Sequence, residues 1–317
     1  MSYSAHDSFV EPARARPQVW RLILGLVLAM AVYVVIFLVI ALVAVSLSPS
    51  FQAAALEARG DPDLTVLAFE RRFLALAEGR GPADLLILLG TFAGMAAGAI
   101  VAALALHNRG LRSLLGPWPQ VWRHFAVAAG ITLGILGVSA MLPPWIDTAP
   151  NIDVSLWLIL LPLSLLLILL QTGAEELLFR GYLQQQLAAR FRSPWVWMVI
   201  PSVLFGLGHI NPGVMGGATG AVVGIVIITT CVGLLTADLT ARTGSLGAAW
   251  GFHFANNVLA ILTVSLDGML GGLALRIVIE DALNETVFAF ALLRYIIALV
   301  IVWLVIRTVL TRREKLA

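Results

Sequence analysis

The chain has 317 residues, of which 60% are hydrophobic and 12% charged, with a mean hydropathy of +0.95. Soluble domains average about 45–50% apolar and about 25% charged residues, so the composition excludes an ordinary soluble protein and fits a polytopic membrane protein. A net charge of +2 gives no footing for a nucleic-acid partner, and the single cysteine, Cys231, excludes a disulfide framework or a Cys-based metal site.

Residues 1–18, polar and broken by Pro12 and Pro17, read as a short disordered cytoplasmic arm. The apolar run from Val19 to Leu47 far exceeds the roughly 7–15 residues of a signal-peptide core and reads as a first span. A span needs about 20 mostly apolar residues. Such windows centre near 20–46, 85–106, 124–142, 155–178, 195–210, 216–237, 246–266 and 287–307. The expected fold class is therefore all-α, a polytopic bundle of about eight transmembrane helices. Residues 48–83 form a long extracytoplasmic loop, within which Asp63–Glu78 has the pattern of an amphipathic helix capped by Asp63. The fourth run continues as a helix past Arg180 toward Arg190. Glycines four residues apart (Gly90, Gly94 and Gly98; Gly130 and Gly134; Gly216, Gly220 and Gly224) read as ridges for close helix packing.

Arginine placement orients the bundle. Arg14, Arg16 and Arg21, Arg109, Arg112 and Arg123, Arg190 and Arg192, Arg242, and Arg307, Arg312, Arg313 and Lys315 fall on one side, while 143–154 and 210–216 carry no Lys or Arg. The positive-inside rule puts both termini in the cytoplasm. Loop 48–83, with Arg59, Arg71, Arg72 and Arg80, is the exception.

Ionisable groups inside a bilayer cost about 2.5–3.5 kcal/mol each on insertion scales, so they are functional candidates. The stretch "QTGAEELLFRGYLQQQL" carries Glu175, Glu176 and Arg180 out of an apolar run. Glu176 and Arg180 are four apart and pair on one helical face, leaving Glu175 free to point into the bundle. His209 ends the fifth run just before an Asn-Pro-Gly turn, and His253 and Asn257 share a face of the seventh. At about 1.5 Å per residue, Glu175 and His209 lie at matching depths, each about 22 Å from the Ser193-Pro194 turn. One Glu, two His and one Asn thus converge on one level.

Glu-Glu-x-x-x-Arg at 175–180, Phe-x-x-x-His at 205–209 and His-x-x-x-Asn at 253–257, in that order, resemble the type II CAAX prenyl endopeptidase and bacteriocin-processing (CPBP) family of intramembrane proteases. The likeness covers about residues 155–260. It implies a four-helix CPBP-like catalytic core at 151–265, behind N-terminal transmembrane helices at 19–150. Residues 266–317 then form a loop, a last transmembrane helix and a basic tail. The resemblance implies peptide-bond hydrolysis with Glu175, His209, His253 and Asn257 as catalytic groups. Glu175 would activate a water, His209 would orient it or protonate the leaving group, and His253 and Asn257 would stabilise the oxyanion. Glu176, Arg180 and Phe205 would support the site.

Two His and one Glu with an open position also match catalytic zinc ligation, which makes Glu175, His209 and His253 candidate ligands. A metal-independent glutamate mechanism is equally compatible with these residues. A membrane-associated protein or peptide is the expected substrate and a bacterial inner membrane the expected location; oligomeric state is open. A non-catalytic scaffold or immunity protein and a proton-coupled transporter are the other readings of the same cluster.

Overall fold

The computed structural model describes residues 3–142, 146–210, 219–265, 270–279 and 285–316. A short α1 (Ser4–Val10) and a 3-10 turn (Glu11–Ala15) precede α2 (Val19–Ser46). The long loop holds α3 (Pro49–Glu57) and α4 (Pro62–Glu78). Next, α5 (Pro82–Gly90) leads into α6 (Phe92–His107), and α7 (Leu111–Leu115) into α8 (Trp118–Ala140). After β1 (Thr148–Pro150), α9 (Val154–Glu176) widens into π-helical turns (Leu177–Gln184) and continues as α10 (Gln185–Arg190). A second π segment (Trp195–Val199) opens α11 (Ile200–Leu207). Then come α12 (Thr219–Thr243), α13 (Gly247–Leu262), β2 (Val264–Ser265), β3 (Arg276–Val278) and α14 (Glu285–Leu316).

The molecule is an all-α polytopic bundle. Among the described residues, six helical stretches are long and apolar enough to cross a membrane: Val19–Ser46, Pro82–His107, Leu111–Ala140, Val154–Arg190, Val222–Thr243 and Thr286–Leu310. The fifth and seventh expected spans are the shorter helices Trp195–Leu207 and α13, so the described residues do not reproduce the count of about eight. At about 1.5 Å per residue neither covers the roughly 30 Å of a bilayer core. Both lie against neighbours that bury Phe205, Ala248, Phe252 and Ala255, so protein surrounds the polar groups they carry. The Asn-Pro-Gly turn expected after His209 lies outside the described residues.

Close approaches set the packing. On α6, a Cβ at Gly98 would sit 2.4 Å from the Ala29 carbonyl of α2; on α13, one at Gly251 would sit 2.2 Å from the Phe125 carbonyl of α8. Only a missing side chain lets those backbones meet. Gly90, Gly130 and Gly134, read from the sequence as ridge positions, face open space.

Two local expectations change. The cap of α4 is Asp61, whose Oδ1 accepts the N–H groups of Asp63 at 2.9 Å and Leu64 at 3.4 Å. Pro62 fits the first helical position, so the residue before it becomes the cap. The N-terminal arm, expected to be disordered, is helical over Ser4–Val10 and buries His6, Phe9 and Val10. Its His6 ring lies 4.5 Å from the Trp197 ring, and the Tyr3 hydroxyl donates to Asp238 Oδ1 at 2.9 Å. A few apolar side chains anchor it despite its polar composition.

At the other end of the bundle, β3 pairs antiparallel with β1 and parallel with β2. The Asn151 side chain donates to the carbonyls of Gly271 (2.9 Å) and Ala274 (2.8 Å), and the Leu270 N–H donates to Glu78 O at 2.8 Å. These bonds tie the loop helices to the ends of α9 and α13.

Candidate functional site

Glu175 and Glu176 close α9, and Arg180 sits in the π-helical turns that follow. Such widened turns recur at functional positions because the irregular bonding re-aims side chains. Here the three polar side chains point inward, with relative exposures of 6%, 0% and 1%. Glu176 Oε1 lies 3.1 Å from Arg180 Nη1, the pairing its four-residue spacing predicts. Arg180 Nη2 donates to the Gly233 carbonyl of α12 at 3.3 Å, and its Cζ lies 4.6 Å from the Phe205 ring centroid. The guanidinium is thus fixed by charge, hydrogen bond and aromatic face together.

His253, on α13 and 2% exposed, stands between the two glutamates. Its Nδ1–H donates to Glu176 Oε1 at 2.8 Å, while Nε2 lies 3.4 Å from Glu175 Oε2. A carboxylate only accepts, so the Glu176 bond puts a proton on Nδ1 and leaves Nε2 to serve Glu175. Glu175 Oε2 has no hydrogen-bond partner among the described residues. Of the two carboxylates, the one paired with arginine orients the imidazole, and the other meets only His253 Nε2 at longer range.

His209 is placed differently from expectation. Its Nδ1–H donates to the Phe205 carbonyl at 2.7 Å, one helical turn back. Its ring packs on Phe205 at 4.7 Å, and the same Phe205 ring packs on His253 at 5.6 Å. Phe205 therefore touches both imidazoles. Glu175 meets His253 where matched depth pointed to His209, because depth along the bundle does not fix the direction in which a side chain faces.

Asn257 lies one turn beyond His253. Its Nδ2–H donates to Gln171 Oε1 of α9 at 3.0 Å, and its Oδ1 accepts from Asn256 Nδ2 at 3.2 Å. Gln171 was not singled out from the sequence. Its signal was its place four residues before Glu175, on the same helical face.

Among the described residues no three of His, Cys, Asp and Glu form a group able to hold a metal ion. Both nitrogens of His253 already face carboxylates, and His209 Nδ1 is committed to the Phe205 carbonyl. Zinc ligation by Glu175, His209 and His253 does not fit this placement.

Residues 156–259 match the family described as Type II CAAX prenyl endopeptidase Rce1-like, which bears out the resemblance carried by the three motifs. That segment contains every site residue named above. Over 183 residues the chain is 28% identical to the uncharacterized protein YyaK of Bacillus subtilis (strain 168), a match covering 56% of this chain. The chain spans 60% of that relative's length. No solved structure matches significantly. The apolar spans mark an integral membrane protein, and its residues 156–259 are similar to the type II CAAX prenyl endopeptidase family.

Proposed function

We propose that the chain is an intramembrane endopeptidase hydrolysing a peptide bond of a membrane-associated protein or peptide. The observation that carries this reading is the His253 imidazole held between two adjacent buried glutamates, only one of which an arginine neutralises.

Glu175, Glu176 and Arg180 sum to one negative charge. In the reaction Glu175 Oε2 takes a proton from a water, whose oxygen attacks the scissile carbonyl carbon. The carbonyl oxygen becomes an oxyanion and accepts from the Asn257 amide, a contact worth about 2.7–4 kcal/mol in comparable sites. Collapse breaks the C–N bond, and the leaving nitrogen receives the proton held by Glu175, directly or through His253 Nε2. His209, with Nδ1 tied to Phe205 O, keeps Nε2 for the substrate side. Glu176, Arg180 and Phe205 hold the imidazole and touch no reacting atom.

A cytoplasmic location for both termini is supported by contacts that gather Arg21, Arg109 and Arg242 at one end. Arg21 donates to the Leu106 carbonyl at 2.9 Å, Arg109 to Gln185 at 2.5 Å, and Arg242 to Asp238, which also receives Tyr3. The Arg59–Arg80 loop packs at the opposite end with residues 270–272. With the positive-inside rule, this supports a bacterial inner-membrane protein with its basic end in the cytoplasm.

The test compares membrane-protein termini in cells expressing the wild-type chain or Glu175→Gln, which keeps shape and removes the base. New termini seen only with wild type are expected, and they name the substrates, prenylated or not. Identical profiles from two inserted, folded proteins overturn the proteolytic reading in favour of partner binding. Elemental analysis of the purified protein, with activity measured before and after chelation, tests whether a metal takes part.

A further inference from the structure

Asn257 is held by a chain of hydrogen bonds that begins on the last helix, outside the Rce1-like segment. The Tyr295 hydroxyl of α14 donates to Asn256 Oδ1. Asn256 Nδ2 then donates to Asn257 Oδ1 at 3.2 Å, and Asn257 Nδ2 donates to Gln171 Oε1 of α9 at 3.0 Å. Three helices are joined through four side chains, all running donor to acceptor in one direction. Asn256 is 7% exposed and Gln171 6%, so water competes little for these bonds.

Direction is what the chain supplies. An amide rotated by half a turn exchanges its donor and acceptor ends at little steric cost. With Asn256 Oδ1 committed to Tyr295, its NH2 faces Asn257 Oδ1, and the NH2 of Asn257 must face α9. That NH2 carries two N–H bonds. One goes to Gln171; the other has no acceptor among the described residues. A donor held in one orientation and left unpaired is what a developing oxyanion requires.

We infer that Tyr295, Asn256 and Gln171 are positioning residues that fix the Asn257 amide so that its spare N–H points to the reacting carbonyl. The inference rests on the proteolytic reading above. It extends the working site to α14, in a part of the chain where the sequence shows no family signature. Tyr295 touches no reacting atom and acts only through Asn256 and Asn257.

The experiment uses the full-length protein in lipid nanodiscs, with a substrate peptide spanning a terminus found by the comparison above. Wild type, Glu175→Gln, Tyr295→Phe, Gln171→Leu and the Tyr295→Phe/Gln171→Leu double variant are assayed for kcat, KM and Tm. Losing one orienting bond lowers kcat by about three- to tenfold, with KM unchanged within about twofold. The double variant loses less than the product of the two single losses, because both act through one amide. Removal of the Tyr295 hydroxyl that lowers Tm alone, or single losses that multiply, overturns the inference and leaves Tyr295 a packing residue. If wild type cleaves no better than Glu175→Gln, the proteolytic reading itself fails. Cleavage by wild type, none by Glu175→Gln and full kcat in Tyr295→Phe sinks only the positioning role.

Discussion

Glu176 Oε1 receives His253 Nδ1–H at 2.8 Å and stands 3.1 Å from Arg180 Nη1, so one carboxylate oxygen serves both an imidazole and a guanidinium. All three side chains are almost wholly buried. Removing one member of such a set leaves an uncompensated charge, which costs more than removing a matched pair.

Arg180→Met is therefore expected to destabilise the protein by about 3–5 kcal/mol, a Tm drop of roughly 6–15 °C for a chain of this size. Glu176→Gln combined with Arg180→Met removes both charges and keeps an acceptor for His253. That double variant should unfold at a higher temperature than Arg180→Met alone, in a thermal melt in detergent. A double variant that melts below the single one contradicts the pairing.

Packing of α13 on α8 predicts a contrast between two glycines. Gly251→Ala drives a methyl against the Phe125 carbonyl, with 2.2 Å available, and should cost about 1–3 kcal/mol or more. Gly130→Ala meets nothing within 4 Å and should be neutral or stabilising by up to about 1 kcal/mol. Chemical denaturation of both in the same lipid reads the difference. Equal losses would mean that the two helices do not meet at Gly251.

The cap of α4 yields a similarly paired prediction. Asp61→Ala should loosen the first turn of the helix by about 0.5–2 kcal/mol. Asp63→Ala should cost less, because Asp63 contributes only its charge near the helix dipole. Hydrogen exchange of the Asp63 and Leu64 amides, which Asp61 Oδ1 accepts, ranks the two. Faster exchange in Asp63→Ala than in Asp61→Ala would reverse the assignment.

Burial of His6 against Trp197 gives the N-terminal arm a pH dependence. Burial is the largest influence and lowers the imidazole to about 4 from its ordinary 6.5; Asp7 works to raise it and Arg14 to lower it. The undocked arm then binds the proton more readily than the docked one. Docking is at full strength above about pH 6.5 and weakens as pH falls toward 4. A nitroxide at Ser8→Cys, in a Cys231→Ala background, should gain mobility over that window and recover on neutralisation. His6→Phe should remove the transition; an unchanged transition in that variant would assign it to another group.

Much of the site was legible in the sequence because charge in an apolar run is conspicuous. Glu175, Glu176, Arg180, His253 and Asn257 stand out against their surroundings, and the i, i+4 spacing of Glu176 and Arg180 sufficed for their ion pair. The helical continuation through Arg190 was equally readable, since between 154 and 190 only Pro162, Gly173 and Gly181 oppose a helix. Tyr295 and Gln171 were not legible. Each is one polar residue in an apolar helix, and its part depends on a partner more than thirty residues away.

Composition, periodicity and spacing by themselves determined the all-α membrane class, the course of the six long spans and the identity of the charged residues that had to be sheltered. These follow from local chemistry: lipid cannot satisfy a backbone amide or a carboxylate, and a helix fixes which side chains share a face. Only the tertiary structure decided which groups meet. It set His253 between the two glutamates and Phe205 against both histidines, ordered the arm through Phe9, Val10 and His6, and showed Gly251 to be a contact and Gly130 a bystander. The reason is rotational. Sequence fixes depth along each helix, but the angle each helix presents to its neighbours is set by the packing of the whole bundle.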